Sequence, residues 1–111
     1  LLLDREELMS GLKLAGSFSG RNNEVTLRVK DKKTVELYSS DSHLGENKYI
    51  MTAKGGEVDM EVVFNWQYLL DGIKNEDTKD VLLGLNGEEK PTLIKSPNSA
   101  TYFYILMPIK P

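Results

Sequence analysis

VVFNWQYLLDGIK, residues Val62 to Lys74, has a counterpart at the start of the chain: LLLDREELMSGLK, Leu1 to Lys13. Set one above the other without a gap, Leu3 falls on Phe64, Asp4 on Asn65, Leu8 on Leu69, Met9 on Leu70, Gly11 on Gly72 and Leu12 on Ile73. Each stretch opens on strand-forming apolar residues and then offers a side chain that can cap a helix, Asp4 or Asn65. Asp4 with Glu7 three residues on makes a capping box. Helical spacing follows in both, through Leu8, Leu12 and Ala15 in the first and Tyr68, Leu69 and Ile73 in the second.

The repeat continues outward from this pair. After the first helix, Gly16 to Asn23 is a loop rich in Gly, Ser and Asn, and Val25 to Val29 alternates as a half-buried strand does. Asp31 to Lys33 is a turn, Thr34 to Ser39 a strand, Ser40 to Glu46 a polar connection and Asn47 to Ala53 another strand. Lys54 to Gly56 turns the chain into a fourth strand, Val58 to Phe64. Behind the second helix, Val81 to Leu85, Thr92 to Lys95 and Tyr102 to Met107 read as three more. Val25-Thr26-Leu27 lies on Val81-Leu82-Leu83, and Tyr49-Ile50-Met51 on Tyr104-Ile105-Leu106, with the offset shrinking as the loops shorten. A strand-helix-strand-strand-strand unit used twice implies an α+β fold with two helices side by side on one face of a curved, mostly antiparallel sheet, because each amphipathic helix must bury its stripe.

Composition bounds what such a fold can do. The 111 residues suit one domain over residues 1–111, and at 40% hydrophobic and 28% charged they suit a globular one. No stretch approaches the roughly 20 apolar residues of a membrane helix. The chain has no cysteine, which removes disulfides, thiolate catalysis and zinc-thiolate sites and suits a reducing cytoplasm. A formal charge of -3 argues against coating nucleic acid through an overall positive field. Leu1 begins without Met, a basic leader or a cleavage site, so it reads as the remnant of a strand in a longer chain.

The last residues, Tyr102 to Pro111, pose a separate problem. A strand cannot pass unbroken through Pro108, which has no N–H for the ladder, so Met107 to Pro111 is expected to peel off the sheet edge at the surface. Exposed apolar groups there call for a partner.

The block Phe64-Asn65-Trp66-Gln67-Tyr68-Leu69-Leu70-Asp71, followed by Tyr104 to Met107 and the terminal Pro108-Ile109-Lys110, resembles the third, C-terminal domain of the bacterial sliding clamp, the β subunit of DNA polymerase III. The resemblance covers essentially the whole chain. It implies the DNA-clamp fold and a protomer of three such domains, paired as a homodimeric ring that encircles duplex DNA without reading its sequence. It also implies a hydrophobic pocket that takes short linear peptides from the DNA polymerase III α subunit, clamp-loader subunits and repair proteins. On matching positions the pocket uses Leu106, Met107, Pro108 and Ile109, with Asn65, Tyr68 and Pro91. Read from the residues alone, Asn65 is a helix cap, Tyr68 a core residue and the tail a frayed end.

Helices that line a ring should turn cations outward, and the candidates are Arg5, Lys13 and Lys74, with Arg21 nearby. Glu6, Glu7, Asp71 and Glu76 dilute that patch. At the protomer interface the resemblance points to Ala15 and Phe18, while Phe18 could equally tuck under its own loop.

Catalysis finds little to build on. A lone His43 in a polar loop assembles no nucleophile and base, Asp59 and Glu61 alternate outward from Val58, Met60 and Val62, and Gly55-Gly56 and Asn86-Gly87 are turns without a phosphate-loop pattern. No cofactor, metal or membrane role is implied. The expectation is a processivity factor, the alternative a stand-alone peptide-binding or scaffold domain of the same fold without a DNA role, with a small carboxylate hydrolase a distant third.

Overall fold

Residues 1–56, 60–75, 78–87, 89–97 and 103–109 are described in the computed structural model of the chain. Eight strands and two helices run in the order β1 (Leu2–Asp4), α1 (Arg5–Gly16), β2 (Glu24–Val29), β3 (Thr34–Asp41), β4 (Gly45–Lys54), β5 (Met60–Asn65), α2 (Trp66–Lys74), β6 (Asp80–Gly84), β7 (Thr92–Lys95) and β8 (Phe103–Leu106). Val58 and Asp59, expected to start β5, and Tyr102, expected to start β8, lie outside the described residues, as do Glu76, Lys110 and Pro111.

One expected connection is mostly strand. Ser40 to Glu46 is polar because the outer side of this hairpin meets water, yet β3 reaches Asp41 and β4 starts at Gly45. The turn closes tightly because the Asp41 carboxylate accepts from the His43 and Leu44 amides at 2.8 and 3.1 Å, and Gly45 takes φ of 97°, where a Cβ would be strained.

The eight strands form one antiparallel sheet in the order β5-β2-β3-β4-β1-β6-β7-β8. The two halves exchange their first strands. β1 pairs with β6 of the second half, Leu3 opposite Val81, and β5 pairs with β2 of the first, Phe64 opposite Val25. The same exchange governs the helix starts: the Arg5 amide donates to the Lys79 carbonyl at 2.8 Å and the Trp66 amide to the Asn23 carbonyl at 2.9 Å. Each helix therefore begins against the residue that precedes the other half's next strand. With α1 starting where α2 ends, the two helices lie antiparallel on one face of the curled sheet.

Burial explains why these segments are helices here. Leu8, Gly11, Leu12 and Ala15 of α1 and Leu69, Gly72 and Ile73 of α2 are the buried positions, packed over Leu3, Leu27, Leu37, Phe64, Leu83 and Ile94. Each fully buried Leu or Ile contributes about 2 kcal/mol. The glycines permit close approach to the sheet: a Cβ on Gly11 would lie 2.7 Å from the Tyr49 ring, and one on Gly72 would lie 2.6 Å from the Tyr104 ring. Tyr68, expected within the apolar stripe, lies outside it. It aligns with Glu7 and is 56% exposed. Among the described residues no helix is long and apolar enough to cross a membrane.

Candidate functional site

Asn65 ends β5 in extended conformation and turns the chain into α2. Its side-chain oxygen accepts from the Gln67 and Tyr68 amides at 2.9 and 3.3 Å, donors that a first helical turn otherwise leaves unsatisfied. Capping thus fixes the start of α2 and brings Tyr68 outward one residue before the buried Leu69.

The terminal strand alternates. Tyr104 packs against the core and Leu106 is buried at 6% exposure, while Ile105 and Met107 on the other face are exposed at 58% and 57%. Leu106, expected in the pocket wall, is therefore a core residue. Ile105, not singled out from the sequence, is exposed on the same face as Met107, as its first-half equivalent Ile50 is. The signal was available, since Met107 outward requires Ile105 outward in a strand of period two.

β8 ends at Leu106 and Met107 is exposed beyond it as expected, but the next described residues stay on the protein. Pro108 is buried, Ile109 is half-buried, and the Ile109 amide donates to the Val63 carbonyl of β5 at 2.8 Å. β5 and β8 are the two edges of the sheet, so the tail crosses from one edge to the other. Pro91 is exposed just before β7, where its carbonyl accepts from the Asn86 side-chain amide at 2.9 Å.

The duplicated fold supplies an internal comparison. Matching register, Leu37 opposite Tyr49 in one half and Ile94 opposite Tyr104 in the other, makes Thr52 the equivalent of Met107 and Lys54 that of Ile109. Glu7 is the equivalent of Tyr68. Three polar positions of the first half are thus apolar in the second, although the two halves pack alike. Folding does not require that change.

The candidate cations do not gather at one point. The Arg5 guanidinium is tied to its own protein, donating through Nε to the Thr78 carbonyl at 2.8 Å and through Nη1 to Met9 Sδ at 3.3 Å. Lys74, in the last turn of α2, pairs with Asp71 at 2.9 Å. Lys13 is exposed in the last turn of α1. Arg21 lines a polar cleft of about 580 Å³ with Asp41 and His43, beyond the C-terminal end of α1. Lys79, unnoticed in the sequence, shares a smaller cleft with Arg5. The buried acid Glu36 is neutralised by Arg28 at 3.0 Å and Lys30 at 3.5 Å on the sheet.

A sequence model of the DNA polymerase III beta subunit, C-terminal domain, matches residues 1–110. The chain belongs to that family. It is 24% identical over 113 residues to the beta sliding clamp of Bacillus subtilis (strain 168), covering 99% of this chain and 30% of that protein. The beta sliding clamp of Synechococcus elongatus is also 24% identical, over 110 residues, 97% of this chain and 29% of its own length. Two solved structures show the fold: the DNA polymerase III beta subunit of Thermotoga maritima, with a TM-score of 0.93 at 22% identity, and the sliding clamp of Bartonella birtlesii bound to griselimycin, with 0.92 at 22%. Each alignment covers 99% of this chain and 30% of the longer one. The chain thus spans less than a third of the length of these relatives.

Within the clamp domain, the expected interface residue Ala15 is 0% exposed. It packs in the core, and its carbonyl accepts from Ser39 Oγ at 2.6 Å and from the Phe18 amide at 3.0 Å, so its side chain has no surface to offer. The helix repeat explains this, because Ala15 continues the stripe of Leu8 and Leu12. Phe18 is half-buried in the turn beyond.

Proposed function

We propose that this chain is the third domain of a sliding-clamp protomer, a non-catalytic cytoplasmic processivity factor. The protomers pair as a ring around duplex DNA, and the end of this chain is the principal part of a peptide-docking pocket. The observation that carries the reading is the contrast between halves: Glu7, Thr52 and Lys54 are replaced by Tyr68, Met107 and Ile109 at equivalent positions of a duplicated fold. Half-exposed apolar groups cost solubility and contribute little to a core, so a partner is their use.

The chemistry suits a short peptide with apolar anchors. Met107 is flexible and polarisable, Ile105 and Ile109 are aliphatic, and the Tyr68 hydroxyl can hold a peptide carbonyl. Asn65 spends its oxygen on the helix, which leaves its NH2 group to face a peptide. The partners are the DNA polymerase III α subunit and clamp-loader subunits. The Bartonella birtlesii relative is bound to griselimycin, which makes griselimycin a ligand to try on this chain.

Arg5, Lys13, Arg21 and Lys74 remain the proposed DNA-facing cations and Phe18 the proposed protomer contact. Encirclement needs phosphate contacts that are weak and independent of sequence.

The test is a titration of isotope-labelled chain with griselimycin and with a short peptide from the polymerase α subunit. Resonances of Tyr68, Ile105 and Met107 to Ile109 should move first. Unchanged resonances there at millimolar ligand would refute the docking site.

A further inference from the structure

The two halves differ in how their last strand meets the neighbouring first strand. In the first half β4 joins β1 by a ladder, Leu3 opposite Ala53 and Leu2 opposite Lys54. On its other side the Ala53 amide donates to the Lys33 carbonyl at 2.8 Å, just before β3. In the second half Pro108 stands where Ala53 does. It has no N–H, so the equivalent bond toward β7 cannot form. Ile109 and Val63 stand where Lys54 and Leu2 do, and there the 2.8 Å amide-to-carbonyl bond is made.

We infer that Val63 and Ile109 are the positioning pair of the docking site: the backbone bond between them, and not the β7–β8 ladder, holds Met107 and Ile109 as its wall. This rests on the docking reading proposed above. The chain from Tyr104 to Leu106 is held by the β7 ladder and by Tyr104 against Gly72 of α2; beyond the ladder Pro108 is buried and Ile109 is bonded to Val63, two residues before the Asn65 cap. Met107 lies between these holds and beside no β7 partner, since the β7–β8 register ends at Leu106 opposite Thr92. Release of Ile109 leaves Met107 and Ile109 held only through the buried Pro108 and the end of the ladder at Leu106. By reciprocity, a ligand that needs the wall in place must in turn strengthen the tie.

Ile109→Pro deletes the donor while keeping an apolar residue, and Ile109→Ala trims the side chain while keeping the donor. In the parent chain the Ile109 amide should exchange with solvent far more slowly than an unstructured amide. In Ile109→Pro the Met107 methyl resonance should move toward its random-coil position while the core resonances of Leu3, Leu69 and Ile94 keep their folded positions, and in Ile109→Ala it should stay. Griselimycin should bind Ile109→Pro about fivefold more weakly than Ile109→Ala, roughly one net backbone hydrogen bond. Unstructured-rate exchange at Ile109, or Met107 unmoved in Ile109→Pro, overturns the tie, and equal affinities overturn its role in docking. Should the parent chain not respond to griselimycin, the docking reading fails, and the exchange and methyl measurements still decide the tie.

Discussion

Gly72 approaches Tyr104 so closely that a Cβ added to the glycine would lie 2.6 Å from the ring's Cδ1, inside any ordinary contact, and the same Cβ would lie 3.0 Å from Ile94 Cδ1. Gly11 and Tyr49 repeat the relationship in the other half at 2.7 Å. Glycine inside a helix normally weakens it, so both helices give up propensity in order to sit down on the sheet.

This sets the sign of a substitution. At an exposed helical position Gly→Ala gains about 1 kcal/mol. Gly72→Ala should instead lose about 1 kcal/mol or more, because overpacking costs about 1–3 kcal/mol. Urea denaturation reads the difference, and a stabilised Gly72→Ala would show that the tyrosine yields freely.

Thr92 points in the opposite direction. Its hydroxyl is fully buried with no hydrogen-bond partner among the described residues, and its equivalent in the first half, by register, is Val35. Thr92→Val should therefore raise stability by about 1 kcal/mol, the desolvation cost of an unpaired hydroxyl. The denaturation midpoint should rise at constant slope, and a fall would mean that the hydroxyl has a partner.

Asn65 allows its two roles to be separated. Asn65→Ala removes the cap and should cost about 1 kcal/mol of stability. Asn65→Asp keeps an acceptor, favoured by the helix dipole, and should hold stability while losing the NH2 donor. Griselimycin affinity should fall in both variants. A loss confined to Asn65→Ala would assign Asn65 to capping alone.

Duplex DNA should not be retained by this chain alone at about 0.15 M salt. Arg5 donates to Thr78, Lys74 pairs with Asp71, and the formal charge is -3, so without a closed ring the proposed cations make only weak, salt-screened phosphate contacts. Gel retardation or fluorescence anisotropy tests this, and a tight, sequence-specific complex would contradict encirclement as the mode of holding DNA.

Local chemistry made much of this legible in the amino acids themselves. The caps Asp4 and Asn65, the stripes Leu8-Leu12 and Leu69-Ile73 and the strand alternations each depend on neighbours a few residues away, so the duplicated unit and the order of its elements could be read directly. The motif around Phe64 to Asp71 carried the family. Tertiary structure decided what depends on distant backbone. Backbone amides and carbonyls are alike at every residue, so nothing in the letters says that β1 and β5 exchange halves, or that Ile109 crosses to Val63 and not to β7. That crossing keeps Pro108 inside beyond the end of the β7–β8 ladder, where the strand alternation no longer decides which side a residue faces.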